Sequence, residues 1–307
     1  MFEESPRTES PPTPEPPPTG DNAPPVPPRP PRVIWAYPAL FALAGVWLAQ
    51  GEGARGAGLL AGVFLILLVH AAWMHRTHPV SELCTALAVL PLVHLVPVLL
   101  GPWIAAGSPW HLGLASALLA LAALTAARVL GYTPRDLGLA LGPWRQRGRN
   151  GAASVFSAAV ALPLVNMAAH TFVQAGIAVS GVGIGTLMLA LFPTPGLVLP
   201  SPASPLPAMA ALGLAGLTEE LVYRGVLQHA AVRALGGTQG VVYTAVTFGA
   251  MYIGFYPLEY ALAMGILGLG FGFLALRTGS ILGIGTAHAL ANLVVLGYLP
   301  PAFLGVR

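Results

Sequence analysis

The chain has 307 residues, 55% hydrophobic and only 8% charged, with a mean hydropathy of +0.73. Those values exclude an ordinary soluble domain and describe a polytopic membrane protein. Net charge is only +3, every basic residue is arginine, and no basic cluster interleaves with aromatics, so nucleic acid is not an expected partner.

Residues 1–32 are dominated by proline, with Ser, Thr, Glu and Asp between. Such a stretch buries too little apolar surface to fold and reads as a disordered, partly polyproline-II tail. Its stretch from Pro24 to Arg32 would suit an SH3-like partner, but a solvated tail is the plainer reading. The first apolar run starts only after the tail and shows no small-residue cleavage pattern, so no signal peptide is expected. The single cysteine, Cys84, lies in an apolar run and can form no intramolecular disulfide.

Runs long enough to span a bilayer follow at 33–50, 57–75, 83–101 and 112–131. A polar segment, 132–151, carries Arg135, Arg145, Arg147 and Arg149, and spans resume at 152–176, 206–230, 239–256, 260–277 and 281–299. The stretch 177–205 has no charge and several prolines; it reads as an extended loop or a re-entrant piece. The expected fold is all-α: a helical bundle of about eight to nine spans. Its expected parts are the tail (1–32), N-terminal helices (33–131), a basic cytoplasmic loop (132–151) and a transmembrane core (152–299). With the N-terminus inside, eleven of the fourteen arginines fall on the cytoplasmic side. That bias predicts a multi-pass protein of the plasma (inner) membrane with its N-terminus cytoplasmic.

Inside the apolar run from Leu206 to about Ala230 stand two carboxylates and a guanidinium: Glu219, Glu220 and Arg224. Ionised groups in hydrocarbon are expensive and default to functional roles. On an α-helix Glu220 and Arg224 lie at i,i+4 and can pair. Glu219 points about 140° away from Arg224 and has no local partner. This predicts one structural glutamate clamped by arginine and one left for chemistry. Two later spans carry His288 with Asn292, and Phe248 with Tyr252, each at i,i+4. At 1.5 Å per residue, Glu219, His288 and Tyr252 lie roughly 15, 10 and 20 Å from the cytoplasmic ends of their spans. The expectation is that Glu219, His288 and Asn292 line one cavity open toward the cytoplasm. The remaining histidines read as packing or interfacial residues.

Glu219-Glu220-x-x-x-Arg224, an aromatic-led motif one helix later and His288-x-x-x-Asn292 resemble the CPBP family of intramembrane proteases. These comprise the type II CAAX-prenyl endopeptidases and the bacterial relatives linked to bacteriocin processing and immunity. The resemblance covers about residues 130–299 and includes Arg135-Asp136-Leu137-Gly138-Leu139. It departs in the second motif, where Phe248-x-x-x leads to Tyr252 in place of the family's histidine. The resemblance implies that Glu219 activates water, Glu220 pairs with Arg224 to fix the helix, and His288 with Asn292 stabilises charge. Tyr252 would orient the water or touch substrate. It also implies a metal such as zinc, for which Glu219 and His288 would be the ligands; two ligands are short of a usual protein set, and a neutral phenol is a poor one.

The chemistry of the side chains agrees with hydrolysis of a peptide bond. A carboxylate without a charge partner serves as general base, while imidazole and amide donors stabilise an oxyanion. The expected partners are the lipid bilayer and a peptide or protein substrate, membrane-associated or lipidated. A second reading is a catalytically silent family member acting as an immunity or scaffold factor, which the tyrosine in the second motif favours. A third is a transporter, but no Glu-Glu-x-x-x-Arg repeat stands in the first half, where inverted halves would require one.

Overall fold

The computed structural model describes residues 32–74, 79–106, 108–140, 155–191 and 205–295. Residues 1–31 of the proline-rich tail, Arg145, Arg147 and Arg149 lie outside the described residues. The described chain is helical, with an isolated bridge between Ile253 and Tyr256 as its sole β pairing. A 3-10 turn, Arg32–Trp35, leads into α1 (Ala36–Ala49), followed by α2 (Gly53–Trp73). Next come α3 (Pro79–Leu87), α4 (Pro91–Leu100) and α5 (Pro109–Val129). Each of these three opens on proline, which lacks the N–H that a first turn would leave unpaired. Ser108 completes the start of α5 by accepting a hydrogen bond from the His111 amide.

The long α6 runs over Val155–Leu191. Of the two readings of 177–205, it contradicts an extended loop from residue 177: Ile177 to Leu191 continue the helix, because the prolines read as breakers begin only at Pro193. Then α7 (Pro205–Glu220) passes without interruption through a π-helical segment (Leu221–Leu227) into α8 (Gln228–Leu235). The chain closes with α9 (Gly237–Ala250), α10 (Leu258–Thr278) and α11 (Leu282–Val295). Gly279, at φ 66°, ends α10 in the left-handed conformation favoured by glycine.

Among the described residues, six stretches are long and apolar enough to cross a membrane: 32–49, 53–73, 79–100, 109–129, 169–188 and 258–278. The expected count of eight to nine is not met among the described residues. The helix α9, with 14 residues, reaches about 21 Å, short of a hydrocarbon core of about 30 Å. A π segment, in turn, divides the helix that carries the glutamates.

In lipid the hydrophobic effect does not drive helix to helix; close packing of small residues and interhelical hydrogen bonds do. At the α7–α11 crossing a Cβ on Gly216 would stand 2.6 Å from the Ala289 nitrogen and 2.8 Å from its Cα. The two backbones therefore touch one turn from Glu219 and Glu220. Polar contacts tie the rest. Thr218 donates to the Ser116 carbonyl on α5 at 3.4 Å, and Tyr243 on α9 donates to the Ile34 carbonyl at 3.0 Å. At the arginine-rich end Arg233 holds Glu82 through two contacts, at 2.9 and 3.1 Å, and Tyr132 packs edge-on against His229. Beside them Asp136 accepts from the Thr133 hydroxyl and amide, both at 2.7 Å. Those bonds, the hydroxyl's first, hold its carboxyl below the usual range. The neighbouring Gly138 carbonyl accepts from Ile281 at 2.9 Å, fixing the start of α11.

Gly216→Leu is expected to part α7 from α11 and sharply reduce folded protein in membranes. Arg233→Gln, at a side chain 54% exposed, should cost less than about 1 kcal/mol. Similar losses of thermal stability in both variants would contradict this account of the packing.

Candidate active site

The site begins at the end of α7, where the helix changes from α to π. A π segment carries an extra residue per turn, and such segments concentrate at functional sites. The expected i,i+4 pairing holds across it: Arg224 Nη1 donates to Glu220 Oε1 at 3.0 Å, with both side chains fully buried. Arg224 also donates to the Gly268 carbonyl on α10 at 3.3 Å. Its guanidinium lies 4.6 Å over the Phe248 ring, a cation–π contact that offsets part of the desolvation.

Glu220 does more than the sequence suggested. Its Oε1 also meets His288 Nδ1 at 2.8 Å. An ionised carboxylate only accepts, so the imidazole keeps a proton on Nδ1. The opposite nitrogen, Nε2, then faces Glu219 Oε2 at 3.6 Å. One imidazole thus bridges the two adjacent glutamates. Their environments differ: the Glu220 side chain is fully buried, while that of Glu219 is 28% exposed.

Tyr252 donates to Glu219 Oε2 at 3.2 Å. The glutamate that lacks a partner on its own helix therefore finds two on other elements. Tyr252 does not stand on a helix, as its spacing from Phe248 suggested. Here α9 ends at Ala250, and Tyr252 occupies the turn that follows, its amide bonded to the Gly249 carbonyl at 3.0 Å. The cause lies just beyond, where Gly254 adopts φ 95° and its missing Cβ admits the α1 backbone at Val46. The ring still packs on Phe248, with centroids 5.3 Å apart.

His288 and Asn292 line a small cavity of about 40 Å³, walled by Ile184, Met188, Met264 and Phe271 among others. Glu219 is not among its lining residues. The expectation of one cavity shared by all three is therefore corrected: this cavity takes in His288 and Asn292, while Glu219 lies outside its lining and in contact with His288 Nε2. Tyr260 also lines the cavity and stacks on Tyr256 with centroids 4.6 Å apart. Both rings lie within 6 Å of Tyr252. Sequence reading missed them, although the spacing Tyr252-x-x-x-Tyr256-x-x-x-Tyr260 was there to see.

Of the histidines read as packing or interfacial residues, His75 and His78 lie outside the described residues and His170 Nε2 is buried without a hydrogen-bond partner, while three others have packing contacts. His70 pairs with the Tyr37 hydroxyl, His111 with the Pro97 carbonyl, and His94 lies against Phe255. For a metal, Glu219 and His288 are the donors available, since Glu220 is committed to Arg224. No group of three or more His, Cys, Asp or Glu disposed to hold an ion occurs among the described residues. The residues present do not fit a zinc site.

Apolar helices long enough to span a bilayer define a multi-pass membrane protein, and within it adjacent glutamates, one buried and one partly exposed, are joined by a histidine. Residues 201–294 match the sequence model of the type II CAAX prenyl endopeptidase Rce1-like family. The match reaches from the start of α7 almost to the end of α11, and it is to the family that the motifs resemble. Neither the curated proteins nor the solved structures contain a match to the chain.

Glu220→Gln leaves Arg224 buried without its counter-charge, a loss of about 3–5 kcal/mol, and should reduce folded protein in the membrane. Glu219→Gln should accumulate like the wild type. Equal accumulation of the two variants, measured by detergent-stable gel filtration, would contradict the division of labour between them.

Proposed function

We propose that the protein is an intramembrane endopeptidase that hydrolyses a peptide bond in a membrane-associated or lipidated substrate. The observation that carries the reading is the pair of adjacent glutamates, one sealed and one reachable, bridged by a single imidazole. Glu219 takes a proton from water as the water oxygen attacks the scissile carbonyl. Tyr252 holds one oxygen of Glu219 and sets its direction. The developing oxyanion accepts hydrogen bonds from His288 Nε2 and the Asn292 amide. Since the proton on Nδ1 stays with Glu220, Nε2 donates when His288 is in its cationic form. Glu219 returns its proton to the leaving amine. No step passes through a metal.

Arginine distribution supports a plasma-membrane location with the N-terminus cytoplasmic. The neighbourhood of Tyr252 also supports a second reading, a catalytically silent member that binds a membrane partner. A phenol stands where the family has histidine, and it donates to Oε2 of Glu219, the same oxygen that His288 Nε2 faces.

Cleavage of a candidate membrane substrate in reconstituted vesicles separates the two. Glu219→Gln should abolish it, and Tyr252→Phe should lower its rate about 10²–10³-fold, as for loss of one catalytic donor. Tyr252→His should keep or raise it, and a chelator should leave it unchanged. Wild-type cleavage no faster than that of Glu219→Gln would overturn the enzyme reading in favour of the silent one.

A further inference from the structure

We propose that Gln174, on α6, is a positioning residue that sets the height of α11 and thereby the place of His288 between the two glutamates. For its effect on cleavage the inference rests on the protease reading; for its effect on geometry it does not. The amides at the start of any helix lack intrahelical partners. At the start of α11 they are met from three parts of the chain. Ile281 donates to the Gly138 carbonyl at 2.9 Å, Leu282 to the Ser280 hydroxyl at 3.3 Å and Gly283 to Gln174 Oε1 at 2.6 Å. Gln174 is thus the acceptor supplied by a neighbouring long helix.

Elsewhere along the α6–α11 contact glycines admit the facing helix: Gly181 meets Ala287, Gly185 meets Ala291 and Val294, and Gly283 also lies against the Gln174 backbone. Such contacts hold two helices close but offer little resistance to sliding along the axis. A short, directed hydrogen bond does resist it. His288 stands five residues beyond Gly283, about 7.5 Å along the axis, with no loop between to absorb a shift. Displacement of α11 would therefore pass directly to Nδ1 at Glu220 and Nε2 at Glu219.

Gln174 is 6% exposed, and its Nε2 has no hydrogen-bond partner. A buried amide with an unmet donor is costly unless its other end has a task. Only the carbonyl end is used. Any side chain of glutamine's length that keeps an acceptor there should preserve the arrangement, and a carboxyl suits a helix N-terminus.

The test uses the full chain, labelled with ¹⁵N-histidine and reconstituted in bilayers, with the His288 signals identified by their loss in His288→Asn. Gln174→Met keeps the length without the acceptor, Gln174→Asn is one methylene too short, and Gln174→Glu retains the acceptor. The first two should move the His288 ring resonances, and the third should leave them at wild-type positions. In cleavage, the first two should lose about 10²-fold in kcat, the usual penalty for a misplacement near 1 Å, with KM little changed; the third should be restored. Unmoved resonances in Gln174→Met, or resonances in Gln174→Glu displaced as in Gln174→Met, would overturn the proposal. The expected resonance pattern without cleavage by the wild type would uphold the positioning and count against the protease reading alone.

Discussion

The carboxylate of Glu220 is the fixed point of this structure. It is fully buried, and one of its oxygens serves both Arg224 and His288. Burying an anion at mid-bundle costs several kcal/mol unless a counter-charge and hydrogen bonds meet it. The surroundings follow from that need. Arg224 supplies the charge and is itself held by the Gly268 carbonyl and the Phe248 face. His288 supplies the second donor, bringing α11 against α7. Because the imidazole spends one nitrogen on Glu220, its other nitrogen is aimed at Glu219. The chemistry proposed for Glu219 is in this sense a consequence of how one oxygen of its neighbour is held.

The bilayer explains why such a site needs glycine-lined helices. Lipid tails are as apolar as leucine, so a helix gains little by exchanging lipid for another apolar helix. Close backbone approach and directed polar bonds must do the holding. Gly216 lets Ala289 approach at the level of the glutamates, and Gly268 exposes a carbonyl to Arg224. Gln228 repeats that device one turn on, donating to the Gly272 carbonyl at 2.9 Å. Through these two bonds α10 is fastened to the segment following Glu220.

Much of this was legible in the residues, and what was not has a physical cause. The i,i+4 rule placed Arg224 on Glu220 because a π turn still brings those side chains together. For Tyr252 the contact with Phe248 held but the helix did not, since α9 stops at Ala250 and a glycine turn docks on α1. Helical spacing could not show that His288 would bond Glu220 through Nδ1, since that contact joins residues 68 apart. The lack of a partner for Glu219 was correct on its own helix and incomplete in three dimensions. Prolines suggested that the chain breaks after residue 176, but α6 continues to Leu191 because the apolar, small-residue stretch before Pro193 has no such breaker.

The central claim is that Glu220 is sealed by its partners while Glu219 alone is reachable, and selective labelling tests it most directly. Treatment of native membranes with a hydrophobic carbodiimide, followed by peptide mass mapping, reads the accessibility of each carboxyl separately. The account predicts modification at Glu219 with Glu220 protected, and modification of Glu220 once His288→Ala removes one of its partners. Labelling of Glu220 in the wild type at a rate equal to or above that of Glu219 would contradict it.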